Sequence, residues 1–184
     1  MSAGQQSIDT VLEQQAMGRY RWMLYLACGF LMALEGYDAY IVSNLAAVIA
    51  RGLGIPIPQM GVIFTLQSAG MALGSYTIPM LADRIGRRNI IIIGVICFGI
   101  LTLVSAAVSS LRDFTFVRFL AFMALGGTMP TIVALNAEFM PAARRGKLVT
   151  WLFIAHGLGA SAAGMFGPTF VALHSWQAAF WAGG

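Results

Sequence analysis

The amino-acid sequence predicts an all-α membrane protein with five complete spans and the start of a sixth, and three observations carry that expectation. Of its 184 residues, 59% are hydrophobic and only 10% charged, with a mean hydropathy of +0.79, whereas a soluble domain carries about a quarter charged residues. The apolar residues fall in runs of about 20, the length a helix needs to cross the hydrocarbon core. Within the runs they are nearly continuous, as over residues 90–100, where a transmembrane strand would alternate polar and apolar positions. High apolar content excludes a disordered chain. The formal charge of +4 is spread over too few residues to make a nucleic-acid face, so the expected partner is the lipid bilayer and not nucleic acid.

Taken in order, residues 1–21 form a polar cytoplasmic arm with Gln5, Gln6, Asp9, Glu13 and Gln14 and no cleavable signal pattern. A single transmembrane helical domain, 22–184, follows, with spans over 22–48, 59–82, 90–109, 114–137 and 148–173, and a sixth beginning near 176. The first run is too long for a signal-peptide core and reads as a retained anchor. Basic residues set the orientation. Arg19 and Arg21 precede the first span, Arg84, Arg87 and Arg88 follow the second, and Arg144, Arg145 and Lys147 follow the fourth. The opposite loops hold only Arg51 and Arg112, which puts the amino terminus in the cytoplasm of a cell's inner (plasma) membrane. Spans two and four both end in an acid followed by several basic residues, an echo expected of a three-helix unit used twice.

Against this apolar background a few polar residues stand out. Glu35 and Asp38 interrupt the first span, each at a cost of about 2.5–3.5 kcal/mol near the bilayer centre. Three positions apart, they project from one helix face, about 60° from each other. Two neighbouring acids in low dielectric should not both stay ionised, so one can take up and release a proton; otherwise neighbouring helix groups satisfy both. Gly36 between them lets a backbone or ligand come close, with Tyr37 and Tyr40 at the same depth. Arg118, the lone cation inside a span, fits three roles: a fork for a substrate carboxylate, a partner for Glu35 or Asp38, or a side chain reaching to the interface.

The fourth span continues through Gly126, Gly127, Thr128, Pro130, Thr131 and Asn136, which favours a bend. Glu138 lies near basic neighbours, and a structural salt bridge with Arg144 or Arg145 is expected. In the fifth span Gly157, Ala160, Ser161, Gly164 and Gly167 make a small-residue face for helix packing. His156 beside it reads as a hydrogen-bonded structural group. Cys28 and Cys97 sit in apolar runs and imply no disulfide. No Cys/His spacing suits a metal, and no phosphate loop or nucleophile elbow is present, so neither an enzyme nor a metal or organic cofactor is expected.

The stretch Leu81-Ala82-Asp83-Arg84-Ile85-Gly86-Arg87-Arg88 resembles the signature loop of the major facilitator superfamily. Glu35-Gly36-Tyr37-Asp38 looks like the Asp-Gly-aromatic-Asp signature of its aromatic acid:proton symporters. Arg118-Phe119-Leu120, Leu125-Gly126-Gly127-Thr128-Met129-Pro130 and Ala137-Glu138-Phe139-Met140-Pro141 are similar to that family's fourth helix and following loop. The chain departs from the pattern in having Glu35 for the first Asp, Pro79 where Gly is usual, and Phe122 and Ala124 at usual glycine positions.

The resemblance implies the incomplete amino-terminal six-helix bundle of a twelve-helix carrier, partnered by a carboxy-terminal half. It implies proton-coupled symport of aromatic or related organic carboxylates, with protons as the coupling ion, Glu35, Asp38 and Arg118 serving substrate and proton, and Asp83, Arg84, Gly86, Arg87 and Arg88 forming a cytoplasmic latch. The alternative from another class is a non-transporting membrane fragment or partner subunit.

Overall fold

A computed structural model describes residues 19–139, 142–173, 175–181 and 183. Most of the polar arm, residues 1–18, and the Met140-Pro141 pair of the fourth-span motif lie outside the described residues. The described residues form helices and no strands. The helices are α1 (Arg19–Asn44), α2 (Ala46–Gly52), α3 (Met60–Ile85), α4 (Arg87–Ala107), α5 (Leu111–Phe139), α6 (Ala142–Leu173) and α7 (Trp176–Trp181).

α4, α5 and α6 are each long and apolar enough to cross a membrane. α2 and α3 meet that test together but are bent by 107° at the break between them. α1 has the length, 26 residues, but its two acids lower its apolarity below that of the other three. The bend follows from the sequence of the connection. Gly54 takes φ +67, a left-handed conformation that a side chain disfavours, and Pro56 is extended and leads into a 3-10 turn at Ile57–Gln59.

The helices overrun the expected spans at their charged ends. α3 continues through Asp83 and Arg84 to Ile85, and α4 starts at Arg87, so the signature loop shrinks to Gly86 at φ +97. Charged side chains end an apolar run without ending a helix, because the backbone ladder is indifferent to them. α5 likewise runs as one helix through Pro130.

α1 packs most extensively on α6, α3 on α5, and α4 on α5. Close backbone approach makes both of the larger crossings. A Cβ on Gly36 would overlap the His156 carbonyl, and one on Gly159 the Ala33 carbonyl, locking α1 to α6. Gly74 against Met123 and Gly126 against Met71 do the same for α3 and α5. The small-residue face on α6 matches the expected one in part. Gly167 is buried against Ile41 and Ala160 lies at the Gly36 contact, Gly159 and Ala163 are buried as well, and Gly157, Ser161 and Gly164 are exposed. On α5, Gly126 and Gly127 serve packing against α3, which is why they coexist with a continuous helix.

Polarity is distributed inside out relative to a soluble domain. Ile92, Ile93, Ile96 and Ile100 expose one face of α4, and Phe30, Trp151, Leu158 and Met165 are equally open. Buried instead are Glu35, Asp38, Gln67, Thr102, Arg118, Thr128, Thr131 and Asn136. Lipid tails accept the first group, and only protein can satisfy the second. Along α1 the acids stand between two apolar clusters, one around Tyr25, Cys28 and Met32, the other around Ile41, Val42 and Leu45.

Candidate functional site

Asp38 and Arg118 meet across the α1–α5 contact with both side chains 0% exposed. Arg118 donates from Nη1 to Asp38 Oδ1 at 3.1 Å and from Nη2 to Oδ2 at 2.7 Å. A third bond runs from Nη2 to the Asp38 carbonyl at 3.2 Å. The two parallel bonds are the fork geometry that makes guanidinium a specific carboxylate ligand. Of the roles open to Arg118, pairing with Asp38 is the one adopted here, and reaching to the interface is excluded by its burial.

The guanidinium is also enclosed by aromatic rings. Its central carbon lies 4.9 Å from the Phe122 ring centroid and 5.4 Å from that of Phe180, within range of cation–π attraction. Phe180 comes from α7, held by edge-to-face contacts with Phe114 and Trp176 at 6.0 and 5.9 Å. Tyr37 ties α7 down by donating its hydroxyl to the Ala179 carbonyl at 3.1 Å. The large residue at position 122, a departure from the resemblance, is thus part of the shell around Arg118.

Glu35 is treated differently from its neighbour. It is 4% exposed, yet neither carboxylate oxygen has a partner among the described residues. It sits between two cavities. One of about 190 Å³ is lined by Leu31, Val95, Phe98 and Thr128, among others. Another of about 220 Å³ is lined by Ala39, Tyr40, Phe122, Met129 and His156, among others. The three-residue offset along α1 therefore sends one acid to a cation and leaves the other on open space.

His156, which sequence reading sets aside as structural, shares that second cavity with Glu35. Its Nδ1 is buried without a partner among the described residues. The available signal was Gly36: the glycine beside Glu35 admits the His156 backbone, and the side chain comes with it. Thr128, Thr131 and Asn136 spend donors on carbonyls one turn back, at 2.8, 2.7 and 2.9 Å.

At the end of α3, Arg87 bridges two acids, Asp83 at 3.8 Å and Glu138 at the far end of α5. Glu138 was expected to pair with Arg144 or Arg145. It takes Arg87 instead, because the one-residue turn at Gly86 delivers the first residue of α4 to the end of α5, while Arg144 and Arg145 are exposed. Arg84 and Arg88 are exposed as well. Among the described residues no cluster of three His, Cys, Asp or Glu side chains could hold a metal.

A helical bundle with exposed apolar faces and a buried charge network is the make-up of a multi-pass membrane protein. The sequence profile of the Major Facilitator Superfamily matches residues 25–184, and the chain belongs to that superfamily, a family of transporters and not of enzymes. It is similar to the gallate transporter of Pseudomonas putida, 25% identical across 94% of this chain and 38% of that protein. The 4-hydroxybenzoate transporter PcaK of Acinetobacter baylyi is 28% identical across 96% of this chain and 38% of its own length. The 3-(3-hydroxy-phenyl)propionate transporter of Escherichia coli is 34% identical across 89% and 41%. The chain thus spans about two fifths of the length of these relatives.

Proposed function

We propose that this chain is the amino-terminal part of a proton-coupled symporter for aromatic or related organic carboxylates. The observation that carries the reading is the dry, forked Asp38–Arg118 pair with the unpartnered Glu35 one turn away. In that arrangement Arg118 can serve one carboxylate at a time. A proton on Asp38 would free the fork for a substrate carboxylate, and loss of that proton would return the fork to Asp38. Proton and organic anion are then coupled through competition for one cation. The names of the three relatives given above, transporters of gallate, 4-hydroxybenzoate and 3-(3-hydroxy-phenyl)propionate, support the substrate class.

On this reading the amino terminus, the α3–α4 turn and the start of α6 face the cytoplasm of an inner membrane, with residues 22–184 as the spanning domain. The spans run over about 22–48, 59–82, 90–109, 114–137 and 148–173, with a sixth from about 176. Substrate passes near the bilayer midplane against a carboxy-terminal helical half, by rocking of one half on the other. Asp83, Arg84, Gly86, Arg87 and Arg88 form the cytoplasmic latch, with Glu138 as the acid that Arg87 engages.

The test is uptake of labelled 4-hydroxybenzoate into vesicles under an imposed proton gradient, with the chain alone and with a second half co-expressed. Accumulation should follow the gradient and collapse with a protonophore. Asp38→Asn should insert normally and lose accumulation. Absence of uptake in both arms, with correctly inserted protein, would favour a non-transporting fragment or partner subunit.

A further inference from the structure

The cavity of about 220 Å³ between α1, α3, α5 and α6 brings together two enclosed polar groups that the charge network leaves out. Both Glu35 carboxylate oxygens and His156 Nδ1 are buried and unpartnered among the described residues. Leaving such groups unbonded costs free energy, so each is a site where a bound molecule gains a hydrogen bond at little desolvation cost to the protein. Their juxtaposition is built in. The backbone approach at Gly36 fixes His156 beside Glu35, and the Tyr40 ring holds the imidazole edge-to-face at 6.4 Å and 68°.

The geometry points to this cavity as the seat of the substrate's aromatic ring, with His156 Nδ1 and the Glu35 carboxyl reading a neutral hydroxyl on that ring. An apolar cavity of about 150 Å³ already accepts benzene, so the space suffices for one ring, and Phe122, Leu125 and Met129 supply apolar walls. The polar end that fits is a hydroxyl and not the carboxylate. None of the lining residues is Lys or Arg, Glu35 would repel an anion, and both Nη atoms of Arg118 are engaged with Asp38. The cavity of about 190 Å³ on the other side of Glu35 is the poorer seat. Its Thr128 hydroxyl already donates to the Ala124 carbonyl at 2.8 Å and can only accept, so beside Glu35 this cavity offers no second buried group without a partner among the described residues. This inference rests on the transport reading for the identity of the cargo, while the subsite itself is testable without transport.

The test is equilibrium binding of phenol and of anisole, its hydroxyl-blocked methyl ether, to the full chain in lipid nanodiscs, corrected against empty nanodiscs. Phenol should bind about tenfold more tightly than anisole, since a buried site that bonds a hydroxyl rejects the analogue lacking a donor. His156→Leu should bring the two within about twofold. Equal affinities in the parent chain, or discrimination that survives His156→Leu, would overturn the assignment. Should His156→Leu fail to fold, ¹⁵N spectra of a His174→Gln chain, with His156 its only imidazole, decide the matter. Phenol should shift that signal and anisole should not; an unmoved signal overturns the subsite. Loss of hydroxybenzoate uptake with phenol discrimination intact overturns the transport reading and leaves the subsite standing. Intact uptake without discrimination overturns the subsite alone.

Discussion

Asp38→Asn and Arg118→Met, singly and together, measure how dry the central ion pair is. Both side chains are 0% exposed, and three hydrogen bonds join the residues at 2.7–3.2 Å. Removing one partner strands the other as an uncompensated buried charge, which costs about 3–5 kcal/mol. Removing both takes away the desolvation penalty along with the attraction, so the double variant should fall well short of the summed single costs, with a coupling of several kcal/mol. A neutral interhelical hydrogen bond in a membrane protein is worth only about 0.6 kcal/mol on average, which sets the scale for deciding. The assay is unfolding of the purified chain from mild-detergent micelles by titration with sodium dodecyl sulfate. Single losses under about 1 kcal/mol, or strict additivity, would show that water reaches the pair and would refute the enclosed fork.

The helix crossings and turns give three further expectations. Gly36→Ala and Gly159→Ala should each destabilise by about 1–3 kcal/mol, because the added methyl meets a backbone carbonyl that cannot rotate away; Gly157→Ala, which meets nothing within 4 Å, should stay within about 0.5 kcal/mol in the same titration. Gly86→Ala forces a side chain onto φ +97 and should cost about 1–3 kcal/mol, measured against an exposed helical Gly→Ala control such as Gly146→Ala. Glu138→Gln breaks a largely exposed pair with Arg87 and should cost less than about 1 kcal/mol, a difference that vanishes near 1 M salt.

The all-helical fold was legible because membrane helices are written in long apolar runs, although the run over 22–48 is divided between α1 and α2 at Leu45 and only α4, α5 and α6 are by themselves long and apolar enough to span. The ends were less so. Asp83 and Arg84 mark where the apolar run stops, whereas the helix stops only at Gly86, where φ becomes positive. Partners across helices were the least legible. Glu35 and Asp38 stand out as costly residues on one face, but nothing in their spacing says that Asp38 takes Arg118 while Glu35 takes none. That choice depends on the α1–α5 crossing, which no local pattern encodes. Glu138 illustrates the same limit: Arg144 and Arg145 are nearer in sequence, and Arg87 is nearer in space. A single histidine beside a small-residue face, as His156 is in the sequence, carries no signal until its backbone is placed against Gly36.

The enclosure of Arg118 also constrains the order of events on the proposed reading. Phe122 and Phe180 lie over the guanidinium, Asp38 holds both Nη atoms, and the one donor left without a partner among the described residues, Nε, is itself buried, so an incoming carboxylate finds no exposed donor on Arg118. Pulling Arg118 away while Asp38 stays ionised would leave two separated charges in a dry site, the costliest of the available arrangements. Protonating Asp38 first removes the stronger half of the attraction and leaves a neutral acid that tolerates burial. Water or a proton carrier must therefore reach Asp38 before substrate reaches Arg118, and the elements in the way are the Phe122 ring and α7. Trp176, Ala179 and Phe180 of α7 are buried in the same apolar cluster as Tyr37 and Ile41, and the Tyr37 hydroxyl bond to Ala179 joins α7 to α1 beside the pair. On the proposed reading, proton entry then precedes carboxylate entry.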